Sequence, residues 1–91
     1  MAMNAAFLNM DEARVIPALR EARKKLDSTE GEVGLDLSSV RRVGQDALKE
    51  IDELADAAEK KKVKIVLRGV NVEVYKVLKL VHLTRRLSFV N

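Results

Sequence analysis

The spacing of apolar residues changes period several times along the chain, and each change marks an element. Residues 5–10, Ala-Ala-Phe-Leu-Asn-Met, form a short apolar run that fits a strand. From Asp11 the pattern shifts to Val15, Leu19, Ala22 and Leu26, spacings of four, three and four that put these side chains on one stripe of a helix. This helix runs from Glu12 or Val15 to Leu26. Pro17 then falls near its first turn, where a missing N–H had no helical partner to lose. The stretch Asp-Ser-Thr-Glu-Gly-Glu (27–32) supplies turn residues. Val33, Leu35 and Leu37 alternate with smaller or polar residues and predict a strand over 33–38, with Asp36 on its opposite face. After a loop, Ala47, Leu48, Ile51, Leu54, Ala55 and Ala58 follow helical spacing over 45–61. Val-Lys-Ile-Val-Leu-Arg-Gly (63–69) reads as a buried strand ended by glycine. Residues 71 to about 84 read as a third helix with Val74, Val77, Leu78 and Val81 inward, and 86–90 as a last short strand through Leu87 and Phe89.

Strands alternating with helices of these lengths define an α/β layer. A helix joining the strand at 33 to the strand at 63 is a crossover connection, so those two strands lie parallel. Three helices suffice to cover one face of a small sheet. A length of 91 residues predicts a single domain spanning 1–91 with one core.

Apolar residues at 47% and charged ones at 34% are a globular composition. The charge of +3 arises from 17 basic and 14 acidic residues, mostly interspersed, a field too weak to imply nucleic acid. The three aromatic rings, Phe7, Tyr75 and Phe89, are too few for a base-stacking platform. No cysteine is present, which removes disulfides, thiolate metal sites and a cysteine nucleophile and fits a reducing compartment. No apolar stretch approaches the roughly 20 residues of a membrane span, so the expected setting is the cytoplasm without membrane insertion.

Chemistry-bearing residues are sparse. Asp46, Glu50, Glu53, Asp56 and Glu59 alternate with Lys49 and Lys60 at spacings typical of a solvated helix surface. His82, the sole histidine, stands near a helix end without a nucleophile beside it, which favours packing or a helix-terminus role over catalysis. Ser38 and Ser39, at a strand end, suit turn hydrogen bonds. Val-Gly-Gln-Asp-Ala-Leu (43–48) has one glycine and is not a phosphate loop. These residues imply no catalytic set, no metal site and no cofactor.

The order of segments "PALREARKKL", "GEVGLDLSSVRRV", a helix at 45–61 and "KVKIVLRGVNVEVYKVLKLVHLTRRL" resembles the STAS domain, named for sulphate transporters and anti-sigma factor antagonists, over about residues 5–90. "LDLSSV" is similar to the family's central strand. The resemblance implies a small mixed sheet with helices mainly on one face. Family members place two strands before the first helix, whereas residues 1–10 supply about one, so the N-terminal strand is expected to be missing or shortened. Where the family carries Asp-Ser-(Ser or Thr)-Gly before the helix, this chain has Gly44, Gln45, Asp46 and Ala47. Asp46 therefore stands at the position of the phosphorylatable hydroxyl.

The resemblance implies a non-catalytic protein-interaction module of the anti-sigma factor antagonist kind, not switched by phosphorylation at the usual position. It acts through Arg41, Arg42, Gly44, Gln45, Asp46 and Lys49. The expected partner is an anti-sigma-factor kinase-like protein. The alternative is a small cytoplasmic subunit of an ABC-type lipid transporter, whose partner is the transporter's ATPase subunit. Two roles for Asp46 stay open: a standing negative charge in place of a phosphate, or a helix-start residue contributing ~0.3–1 kcal/mol through the helix dipole. A homodimer through the N-terminal segment or the exposed sheet face is a further expectation, because an uncovered sheet edge invites pairing.

Overall fold

The computed structural model of the chain describes residues 7–90. Four strands, β1 (Phe7–Asp11), β2 (Glu32–Ser39), β3 (Lys64–Arg68) and β4 (Ser88–Val90), alternate with three helices, α1 (Val15–Lys25), α2 (Gln45–Lys61) and α3 (Val72–Leu80). Short 3-10 turns occupy Glu12–Arg14, Leu26–Ser28 and Thr84–Arg86. Residues 5 and 6 of the expected first strand, and the question of a missing or shortened N-terminal strand, lie outside the described residues.

The sheet order is β1-β2-β3-β4 and all three pairings are parallel. The α/β class holds. The mixed character expected of the sheet is not present among the described strands, because every link between them is a crossover and a crossover returns the chain in the same direction. Each crossover also steps to the next strand in sequence. Crossovers of one hand that keep stepping the same way place every helix on the same side of the sheet. The core reflects this, since Leu19 and Ala22 of α1, Ile51 and Leu54 of α2, and Val74 and Leu78 of α3 share one cluster with Leu35, Leu37, Ile65 and Leu67.

Strand register explains which side chains reach that core. Leu8, Leu35, Leu67 and Phe89 lie side by side across the four strands on the helix face. Phe7, Gly34, Val66 and Ser88 form the neighbouring row on the opposite face. No helix of the described residues covers that second face. Phe7 does part of the work instead, lying over Gly34 so closely that a Cβ there would come within 2.7 Å of its ring. Arg68 stacks on the same ring, its Cζ 4.1 Å from the centroid.

Helices α2 and α3 end alike. In each, a residue in the left-handed region closes the last turn, Lys62 at φ 59° and His82 at φ 64°. The next residue is apolar and buried, Val63 or Leu83, and its N–H returns to the carbonyl five residues earlier, Ala58 or Leu78. This stop corrects the expectation for the third helix, which ends at Leu80 rather than near Thr84. Val81, expected inward, is exposed, and Leu83 takes the buried place once the chain turns at His82. Pro17 is the third residue of α1, within the first turn as its lack of an N–H requires.

The acidic row of α2 is more than a solvated surface. On one flank Glu50 pairs with Arg20 at 3.2 Å and Glu53 with Arg23 at 2.5 Å, tying α2 to α1. On the other flank Asp52 at 2.8 Å, Glu59 at 3.2 Å and Asp56 all receive Arg86, which anchors the turn before β4 to the same helix. Glu59 and Asp56 push the Arg86 guanidinium still further toward its charged form.

Candidate functional site

The C-terminal ends of the parallel strands gather three connections: the β1–α1 turn, the loop 40–44 between β2 and α2, and the β3–α3 turn. The loop is held from both sides. Glu12, just after β1, accepts the backbone N–H of Arg41 at 2.7 Å and that of Arg42 at 3.2 Å on a single oxygen, Oε2. Asn71, just after β3, donates from Nδ2 to the carbonyls of Val40 and Arg41, both at 3.3 Å. The same Asn71 accepts the N–H of Val74 at 2.7 Å and so caps α3. Val40 itself is buried at 1% exposure, and its N–H bonds to Leu37 at 2.9 Å. The loop backbone is thereby fixed by groups from three separate elements.

α2 begins directly after this loop. Gly44 precedes it in an extended conformation and offers no side-chain cap, while its carbonyl accepts the N–H of Leu48 at 2.9 Å. A Cβ at Gly44 would meet nothing within 4 Å, so close packing does not demand glycine there. Gln45, Asp46 and Lys49 are exposed on the first turns of the helix. Asp46 is the acidic residue of the first turn, beside N–H groups that have no helical acceptor.

Two adjoining depressions run along this surface between α1 and α2. One, of about 530 Å³, is lined by Glu12, Ile16, Arg42, Gly44, Gln45 and Asp46. The other, of about 540 Å³, is lined by Ile16, Arg20, Asp46, Lys49 and Glu50 among others. Ile16 and Asp46 belong to both and mark the junction. Of the six residues singled out from the sequence, Arg42, Gly44, Gln45, Asp46 and Lys49 line this groove; the exposed Arg41 shares the loop but lines neither depression. Sequence reasoning missed Glu12, Ile16 and Asn71. Asn71 carried a legible signal, a capping residue before an apolar helical run. Glu12 carried none, because its two acceptor contacts lie 29 and 30 residues away.

A second polar cluster closes the strand ends on the uncovered face. Asp36 Oδ1 accepts the Ser38 hydroxyl at 2.5 Å and the Ser38 N–H at 2.8 Å, while Oδ2 accepts two bonds from Arg68. The Ser38 bonds, followed by those of Arg68, hold the Asp36 carboxyl down at about 2, from an ordinary value of 3.8. This cluster is internally satisfied. Among the described residues no group of three or more His, Cys, Asp and Glu side chains is placed to hold a metal ion.

A four-stranded parallel sheet with its helices on one face, carrying a pinned loop that leads into an exposed helix start, defines a small α/β domain. The chain belongs to the STAS domain family, whose model matches residues 9–91. The fold agrees with two solved structures of one protein, TM1081. Its crystal structure, of a proposed anti-sigma factor antagonist from Thermotoga maritima, is 20% identical with a TM-score of 0.73, over 98% of this chain and 75% of that one. Its NMR structure is 19% identical with a TM-score of 0.79, over 100% of this chain and 77% of that one. No curated protein matches the chain. No helix among the described residues is long and apolar enough to cross a membrane.

Proposed function

We propose that the chain is a non-catalytic protein-interaction module of the anti-sigma factor antagonist kind, working in the cytoplasm through the loop 40–44 and the first turns of α2. One observation carries this reading. The loop backbone is immobilised by Glu12 and Asn71, yet the side chains of Arg42, Gln45, Asp46 and Lys49 project from it with no ion pair among the described residues. A backbone ordered in advance loses little further entropy when a partner seats on it, and the unpaired side chains break no ion pair to engage it. Asp46 replaces the hydroxyl that the family phosphorylates, so this position carries one fixed negative charge instead of a reversible phosphate. The partner in this reading is a kinase-like regulator; an ATPase subunit of a transporter is the second reading, and it uses the same surface.

A photo-crosslinking amino acid placed at Gln45, with a control at Lys60 on the far end of α2, tests the site. The expected result is a discrete crosslinked protein from Gln45 alone, identified by mass spectrometry. Adding Asp46→Ser asks what the aspartate does: stronger capture marks Asp46 as a standing brake, and unchanged capture marks it as a helix-start residue. Crosslinks from Lys60 but not from Gln45 would place the interaction elsewhere and end this reading.

A further inference from the structure

The ions around the groove are unequally committed. Glu12 spends its carboxylate on two backbone N–H groups of the loop, and Glu50 and Glu53 spend theirs on Arg20 and Arg23. Arg41, Arg42 and Lys49 are exposed and take part in no ion pair among the described residues. Asp46 is the one acidic group on the groove left without a bonded partner there. Arg42 lines one depression and Lys49 the other; apolar Ile16 lines both at their junction, and Ala13, Pro17 and Ala47 line the Arg42 side.

Resting on the reading that this groove binds a protein, we propose that the bound segment is acidic, bringing carboxylates to Arg42 and Lys49 on either side of an apolar side chain that covers Ile16. The free cations set the sign of the partner, since a basic segment would meet Arg42 and Lys49 on the groove and Arg41 on the adjoining loop, answered by Asp46 and by a Glu12 carboxylate already holding two loop N–H groups. Like charges brought together at an interface are one means of rejecting a wrong partner. Asp46 sits at the junction of the two depressions and disfavours a carboxylate at the centre, so the acidic positions fall at the two ends. The commitment of Glu12, Glu50 and Glu53 to internal contacts matters here as well. Recruiting any of them to a basic partner would give up a contact that pins the loop or links α1 to α2.

The test is a selection from a random linear peptide library displayed on phage, against the immobilised full chain. Peptides enriched in Asp and Glu relative to the input, with affinity falling as salt rises, are the expected result. The double variant Arg42→Glu/Lys49→Glu, both positions exposed, should weaken the selected peptides about tenfold or more. Lys60→Glu/Lys62→Glu, at the far end of α2, should leave them unchanged. A thermal melt of each variant shows that it is folded. Selected peptides that are neutral or basic, an empty selection, or equal binding by the two double variants would each overturn the proposal. So would a single-stranded RNA oligonucleotide that binds the same surface as tightly as the peptides. The crosslink from Gln45 reads the site independently: a partner captured there but indifferent to charge reversal sinks the acidic segment alone, whereas no capture sinks the site.

Discussion

Arg68 grips Asp36 through two donors on one oxygen, Nε at 3.0 Å and Nη2 at 2.7 Å from Oδ2, across neighbouring strands that place the two residues in register. The guanidinium also lies on Phe7, so one side chain ties β1, β2 and β3 together on the face opposite the three helices. Asp36 is 9% exposed, and burying a carboxylate this far is tolerable only because four donor contacts reach it.

The Asp36 carboxyl titrates near 2 in the folded chain and near 3.8 otherwise, so the folded state holds its charged form more tightly. Its contribution is fully present above about pH 4 and is lost as the pH falls toward 2, and it amounts to on the order of 2 kcal/mol. Asp36→Asn should therefore be less stable than wild type at pH 6, with the pH-dependent part of the gap narrowed to about a third by pH 2.5. Urea unfolding at the two pH values measures it; a gap that is constant with pH would contradict the assignment.

Gly34→Ala should destabilise the chain by about 1–3 kcal/mol, because the new methyl collides with the Phe7 ring and the ring cannot move without leaving Arg68. Gly44→Ala, with open space around the position, serves as the control and should cost well under 1 kcal/mol. Chemical denaturation of both variants decides the matter.

Asn71→Ala should lose about 1 kcal/mol through the α3 cap, and Glu12→Ala less, since Glu12 is exposed. Their shared effect is on the loop. Hydrogen exchange at the amides of Arg41 and Arg42 should speed up in Glu12→Ala, while amides in the middle of α2 keep wild-type rates. Uniformly faster exchange across the chain would mean a global loss of stability instead of a released loop.

Asp46→Ala should lower stability by no more than about 1 kcal/mol, the dipole contribution of a first-turn carboxylate on an exposed surface. A larger loss in thermal denaturation would show that Asp46 has a structural partner beyond the helix start.

Among the described residues the chain's pattern located the three α-helices and four strands, most firmly where the period is strong, while β1 and β4 are short apolar runs with little period of their own. α2 is predicted to its ends by six apolar positions in helical register, and β2 by the alternation of Val33, Leu35 and Leu37. α3 was overextended because His82 and the residues around it keep a helical apolar pattern. The stop is made by a left-handed residue of a type that does not announce itself as glycine would. The α2 acids read as surface because their partners, Arg20, Arg23 and Arg86, are about 30 residues distant in either direction.

The α/β class, the parallel pairing of β2 with β3, the one-sided core and the position of Asp46 at a helix start are legible in the order of residues, since all of these follow from local periodicity and the handedness of crossovers. That Glu12 and Asn71 hold the loop 40–44, that Phe7 and Arg68 shelter the face opposite the helices, and which ions stay free along the groove emerge from the folded arrangement alone. Those outcomes depend on side chains meeting across the sheet from distant segments, and no short stretch of chain records such a meeting.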